Sequence, residues 1–142
     1  MVQLIIGEKG KGKTKVLLDK ANTQIKTVNG NVVYLDKNKQ HMYELNNRIR
    51  LIDVASYPLR NVDAFIGFLC GLISRDNDLE QVYLDSFLKI AKLEKAENDQ
   101  VLEVLKQINN IGKMFHVNFV ISVSLTRDQL PEEYYENIVA EL

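Results

Sequence analysis

The chain has 142 residues, 46% of them hydrophobic and 26% charged, with a net charge of −1. That length suits one domain whose core needs no staples, and the near-neutral charge argues against a nucleic-acid binder. Cys70 is the only cysteine, which excludes an intrachain disulfide and fits a reducing cytoplasm.

Val2–Ile6 reads as a strand, too short and too soon followed by glycine and charge for a secretory signal. Gly7-Glu8-Lys9-Gly10-Lys11-Gly12-Lys13-Thr14 then completes a G-x-x-x-x-G-K-[ST] pattern between that strand and a predicted helix. The helix runs from about Lys13 to Ile25, with Leu17, Leu18, Ala21 and Ile25 on one face. Lys9, Lys11, Lys13, Lys15 and Lys20 make this region basic, whereas Asp128, Glu132, Glu133, Glu136 and Glu141 make the far end of the chain acidic. The turn Asn29-Gly30-Asn31 leads into Asn31–Asp36, an apolar run expected to be buried on both faces. A short helix over Gln40–Asn47 and a strand nearer the sheet edge over Ile49–Val54 follow.

Past the connector Ser56-Tyr57-Pro58, Asn61 is placed to cap a helix reaching about Arg75. Val62, Phe65, Ile66, Leu69 and Ile73 form its stripe. Phe68 and Leu72 make the opposite face apolar, so deep packing is expected. Cys70 then reads as a small buried thiol, and Gly67 and Gly71 as a device for close approach of another backbone. The apolar run Ala64–Ile73 is well short of the ~20 residues a membrane span requires. Gln81–Asp85 reads as a strand ending in a carboxylate. Val101, Val104, Leu105, Ile108 and Ile111 mark a helix from Asp99 to Gly112. Asn118–Leu125 is the last predicted strand, and Pro131 opens a final helix with Tyr134, Tyr135, Ile138 and Val139 inward. The alternation predicts an α/β, three-layer fold over residues 1–142, with a mostly parallel central sheet of about five strands.

The glycine pattern carries the chemistry. Glycines let successive backbone N–H groups turn inward towards phosphate oxygens, and the first turn of the next helix adds free donors and the positive end of its dipole. Lys13 is suited to reach the β- and γ-phosphates, and the Thr14 hydroxyl to hold Mg²⁺. The nucleotide-binding candidates are therefore Gly7, Glu8, Lys9, Gly10, Lys11, Gly12, Lys13, Thr14 and Lys15. Val82-Tyr83-Leu84-Asp85 has the form of a Walker B segment, which sets a carboxylate near the metal; a turn-capping role for Asp85 is the alternative. His41 and His116 are isolated and give no metal-ligand spacing.

These residues resemble the P-loop NTPases, specifically the RecA-like branch, in which an extra strand lies between the phosphate-loop strand and the Walker B strand. The chain also resembles short stand-alone ATP-binding proteins grouped loosely with twitching-motility ATPases. The resemblance implies ATP as the nucleotide, Mg²⁺ as the metal, and Thr14 and Asp85 as metal-side residues. It also implies a polar γ-phosphate sensor on the strand after Walker B, which Ser122 or Ser124 could match; either could equally face outward. Many members carry a glutamate directly after the Walker B aspartate to orient water, but here that position is Ser86. Some place it past the second strand instead, which makes Asp36 the catalytic candidate beside Lys13, unless Asp36 simply ends its strand. Arg127 could serve as an arginine finger or lie on the surface.

Three functions follow as expectations: a slow Mg²⁺-dependent ATPase, a non-hydrolysing nucleotide-dependent interaction module, and, less well matched, a small-molecule kinase. A kinase would close an arginine-bearing lid, and none of Arg48, Arg50, Arg60, Arg75 and Arg127 cluster after the Walker B strand. A homo-oligomer or protein partner fits the first two.

Overall fold

The computed structural model describes residues 1–142. Its strands are β1 (Val2–Ile6), β2 (Asn31–Asp36), β3 (Ile49–Asp53), β4 (Leu79–Leu84), β5 (Asn118–Val123) and β6 (Ile138–Glu141). They form one sheet in the order β3-β2-β4-β5-β1-β6, and every pairing is parallel. The sheet thus has six strands rather than about five. The addition is β6, which falls where a final helix was expected: Glu132–Asn137 forms only 3₁₀ turns, and Ile138–Glu141 then lies along β1. Tyr134, Tyr135 and Ile138 are half-buried and Val139 is exposed, so this segment packs as a strand edge and not as an amphipathic helix.

The helices are α1 (Lys13–Gln24), α2 (Val62–Arg75), α3 (Phe87–Ile90) and α4 (Asn98–Phe115). Alternation along each strand splits the core in two. Val33 and Leu35 of β2, Leu84 of β4, and Phe119 and Ile121 of β5 pack with α2, α3 and α4 in the larger cluster. Val32 and Tyr34 of β2, Tyr83 of β4, Val120 of β5 and Ile5 of β1 pack with Leu17, Leu18 and Ala21 of α1 in the smaller one. The strand ends on the α1 side carry polar groups (Asp36, Asp85 and Ser122), all buried.

Local chemistry fixes the frame. The Asn61 side chain accepts from the Ala64 amide at 2.8 Å and starts α2. Asn109 of α4 accepts from the Val2 amide at 3.1 Å and ties that helix to β1. The long β2–β3 connection, with one 3₁₀ turn at Met42–Glu44 in place of the expected helix, is held on α1. There Asn22 donates to Glu44 O and accepts from the Asn46 amide, both at 2.8 Å. In the α2 stripe Phe65, Ile66, Leu69 and Ile73 are buried, while Val62 and the opposite-face Phe68 and Leu72 are only half-buried and Gly67, Cys70 and Gly71 face solvent. No atom lies within 4 Å of a Cβ built on either glycine, so they serve no close approach. No helix is long and apolar enough to cross a membrane.

Candidate functional site

The loop between β1 and α1 is held at its base. The Gly7 amide donates to Leu125 O at 2.9 Å, and a Cβ added at Gly7 would stand 2.7 Å from Leu142 O, so only glycine fits there. Gly12, at φ 91°, takes the left-handed conformation at the N-cap of α1, where side chains pay a steric penalty. Between them, the amides of Glu8 to Gly12 make no hydrogen bond within the protein. Lys13 Nζ donates to Gly7 O at 2.9 Å and to Glu8 O at 2.8 Å. This folds the side chain back over the loop and leaves the third ammonium hydrogen free. Burial lowers the Lys13 pKa, and the neighbouring charge of Asp85 opposes that fall.

Asp85 follows β4 directly and is the hub of a buried network. Its Oδ1 accepts from Thr14 Oγ1 at 3.1 Å and from Ser122 Oγ at 2.8 Å, and its Oδ2 accepts from the Tyr34 hydroxyl at 2.7 Å. Ser122 Oγ also accepts from the Ser86 amide at 3.0 Å. Ser122 is therefore the strand serine that joins the site from within, while Ser124 is exposed. Ser86 itself stands at φ 54°, ψ 53°, a left-handed conformation uncommon for a residue with a side chain. It lets the chain leave β4 and enter α3 at once. Tyr34 stacks on Tyr83, with ring centroids 6.1 Å apart and an interplanar angle of 13°. Burial above all, then the charge and hydrogen bond of Asp85, push the Tyr34 hydroxyl far up, so it stays a donor.

Asp36 ends β2 on the same face of the sheet as Tyr34. It is 1% exposed. Its Oδ1 accepts from the Lys37 amide at 2.7 Å, while its Oδ2 is the only buried carboxylate oxygen in the chain without a partner. Burial first, and then the charge of Asp85, raise its pKa.

A cleft of about 500 Å³ opens above these groups. The loop contributes Lys9, Gly10, Gly12, Lys13 and Thr14, and the end of β5 contributes Ser122 and Ser124. The stretch after β4 adds Asp85 to Lys89 and then Glu94, and Lys37 enters from the end of β2. Asp36 does not line it, nor do Gly7, Glu8, Lys11 and Lys15; Glu8, Lys11 and Lys15 are exposed. Arg127 is bound elsewhere: Nε and Nη2 both donate to Glu141 Oε1, at 3.1 and 2.9 Å, and the guanidinium lies 4.8 Å from the Tyr135 ring centroid.

No three His, Cys, Asp or Glu side chains are grouped so as to hold a metal by themselves. A hydrated Mg²⁺ bound chiefly by phosphates needs only one or two protein oxygens, and Thr14 with Asp85 meets that requirement. Reading the sequence missed Tyr34. Its signal was a tyrosine two residues before Asp36 on an otherwise aliphatic strand, hence on the same face. Neither a protein-family model nor a curated protein matches the chain.

Proposed function

We propose that this protein binds ATP with Mg²⁺ and hydrolyses it slowly, as a P-loop NTPase of the RecA-like branch. The observation that carries the reading is the contact between Thr14 Oγ1 and Asp85 Oδ1 at 3.1 Å, across 71 residues of sequence. It joins a loop with free amides to the carboxylate at the end of β4, the two halves a Mg²⁺–triphosphate needs. The position of β5 between β1 and β4 supports the same branch. The unpaired Cys70 supports a cytoplasmic setting.

In this reading the amides of Glu8 to Gly12 and the start of α1 bind the phosphate chain, and Lys13 turns its free N–H to the β- and γ-phosphates. Thr14 and Asp85 would hold the Mg²⁺, which would neutralise phosphate charge when bound. Ser122 and Tyr34 keep the Asp85 carboxylate oriented. Asp36 has an Oδ2 without a partner but stands behind the cleft lining, so a γ-phosphate oxygen takes the proton lost by the attacking water.

Two observations favour a second reading. Asp36 does not line the cleft, and Ser86 stands where a glutamate would orient water. Occupancy rather than turnover would then be the output, read by a protein partner or a second copy of the chain. Calorimetry with MgATP and MgADP, paired with phosphate release, separates the two. Binding with release abolished by Lys13→Ala supports the ATPase. Binding without release supports the interaction module. No binding at millimolar nucleotide refutes both.

A further inference from the structure

Phosphoryl transfer needs positive charge beside the oxygens on which charge builds. In this chain the obvious candidate, Arg127, is engaged by Glu141 and Tyr135 and does not line the cleft. Two lysines do. Lys37 enters from the end of β2 and Lys89 from α3, directly after β4. Both are exposed, and neither forms an ion pair.

Strand order says which end of the nucleotide they would meet. β2 and β4 are neighbours, and β1 and β6 lie beyond β5 on the other side. The Thr14–Asp85 contact bridges from the loop towards β4, so the metal and the terminal phosphate belong on the β4 and β2 side. The nucleoside then leaves on the other. Lys37 and Lys89 stand on the terminal-phosphate side and Arg127, after β5 and bound to β6, does not.

Resting on the ATPase reading above, we propose that Lys37 and Lys89 supply in cis the positive charge that an arginine finger supplies elsewhere. They are catalytic residues for the γ-phosphoryl group, and the site is complete within one chain. Water oxygen bonds to the γ-phosphorus, and the bond to the β,γ-bridging oxygen breaks with its electron pair left on ADP. The water proton goes to a γ-phosphate oxygen and then to solvent. The two ammonium groups meet the charge on the departing and equatorial oxygens. A lysine does this as a mobile point charge, without the paired donors of a guanidinium.

The test measures phosphate release and MgADP affinity for the wild type, Lys37→Met, Lys89→Met, the double variant and Arg127→Ala, over a hundredfold range of protein concentration. The expected result is a fall in kcat of roughly tenfold for each lysine variant and more for the double, the sign of contacts made in the transition state alone. MgADP affinity and KM should stay within about twofold. Arg127→Ala should leave kcat unchanged, and wild-type turnover per chain should not depend on protein concentration. Unchanged kcat in the lysine variants, a loss with Arg127→Ala, an equal loss of MgADP affinity, or turnover per chain that rises with concentration overturns the lysine assignment alone. Wild-type protein that binds nucleotide without turnover overturns it as well, in favour of the interaction module. Wild-type protein that binds no nucleotide removes the ATPase reading itself.

Discussion

Tyr34→Phe isolates one contact of the Asp85 network. The substitution deletes a hydroxyl that is fully buried and donates to Asp85 Oδ2 at 2.7 Å, while the ring keeps its place on Tyr83. Volume barely changes, so the packing cost is small. What remains is a buried carboxylate oxygen that has lost its donor; hydrogen bonds to charged groups are worth about 1.5–3 kcal/mol. Oδ1 retains Thr14 and Ser122, which limits relaxation, and a loss of about 2 kcal/mol is expected. At this chain length that lowers Tm by roughly 4–8 °C. Tyr83→Phe is the internal control: its hydroxyl donates to the neutral Gln81 Oε1 at 2.7 Å, and its removal should cost about 1 kcal/mol. Urea unfolding of both variants at neutral pH, with the m-value unchanged, reads the difference. If Tyr34→Phe costs no more than Tyr83→Phe, the network does not hold Asp85 as described.

Two further outcomes are expected. Ser86→Gly should stabilise the protein by about 0.5–1 kcal/mol, because glycine takes the left-handed conformation without the steric cost borne by other residues; a lower Tm would show that no strain resides there. Asp36 has a raised pKa in the folded state, so the folded protein binds its proton more tightly than the unfolded chain does. Its contribution is favourable below the ordinary aspartate range and is lost as pH rises through the folded value. Asp36→Asn should therefore be more stable than the wild type at neutral pH, with the gap closing on acidification. A gap that widens on acidification contradicts this assignment.

The parts of the fold legible in the sequence are those written in neighbouring residues. The β1–loop–α1 unit follows from a glycine pattern behind an apolar run, and the α2 start from Asn61, whose side chain needs only the amide of Ala64. The rest depended on distant partners. Ile138–Glu141 is too short to declare itself, and Tyr134, Tyr135, Ile138 and Val139 happen to repeat at helical spacing. Only pairing with β1 makes the segment a strand. Cys70 sits inside an apolar run, yet nothing packs over that side of α2, so composition hid its exposure. At the site, Asp85 could be picked out as a strand-ending carboxylate, but its link to Tyr34 spans 51 residues. For Asp36, position at a strand end was visible and burial was not. That burial arises because α1 and the β2–β3 connection close over the same face.

The wiring of the sheet also sets a timetable for assembly. Within the sheet β1 pairs only with β5 and β6: Val2 lies beside Phe119, and Leu4 beside Ile121 and Ile138. As the chain emerges from the ribosome, β2, β3 and β4 can zip together while the first strand waits unmatched for neighbours made last. The stretch at greatest hazard of straying into wrong partnerships is thus the very one that carries the glycine loop, and a nascent chain halted before Asn118 should hold a half-built sheet that cannot grip a ligand.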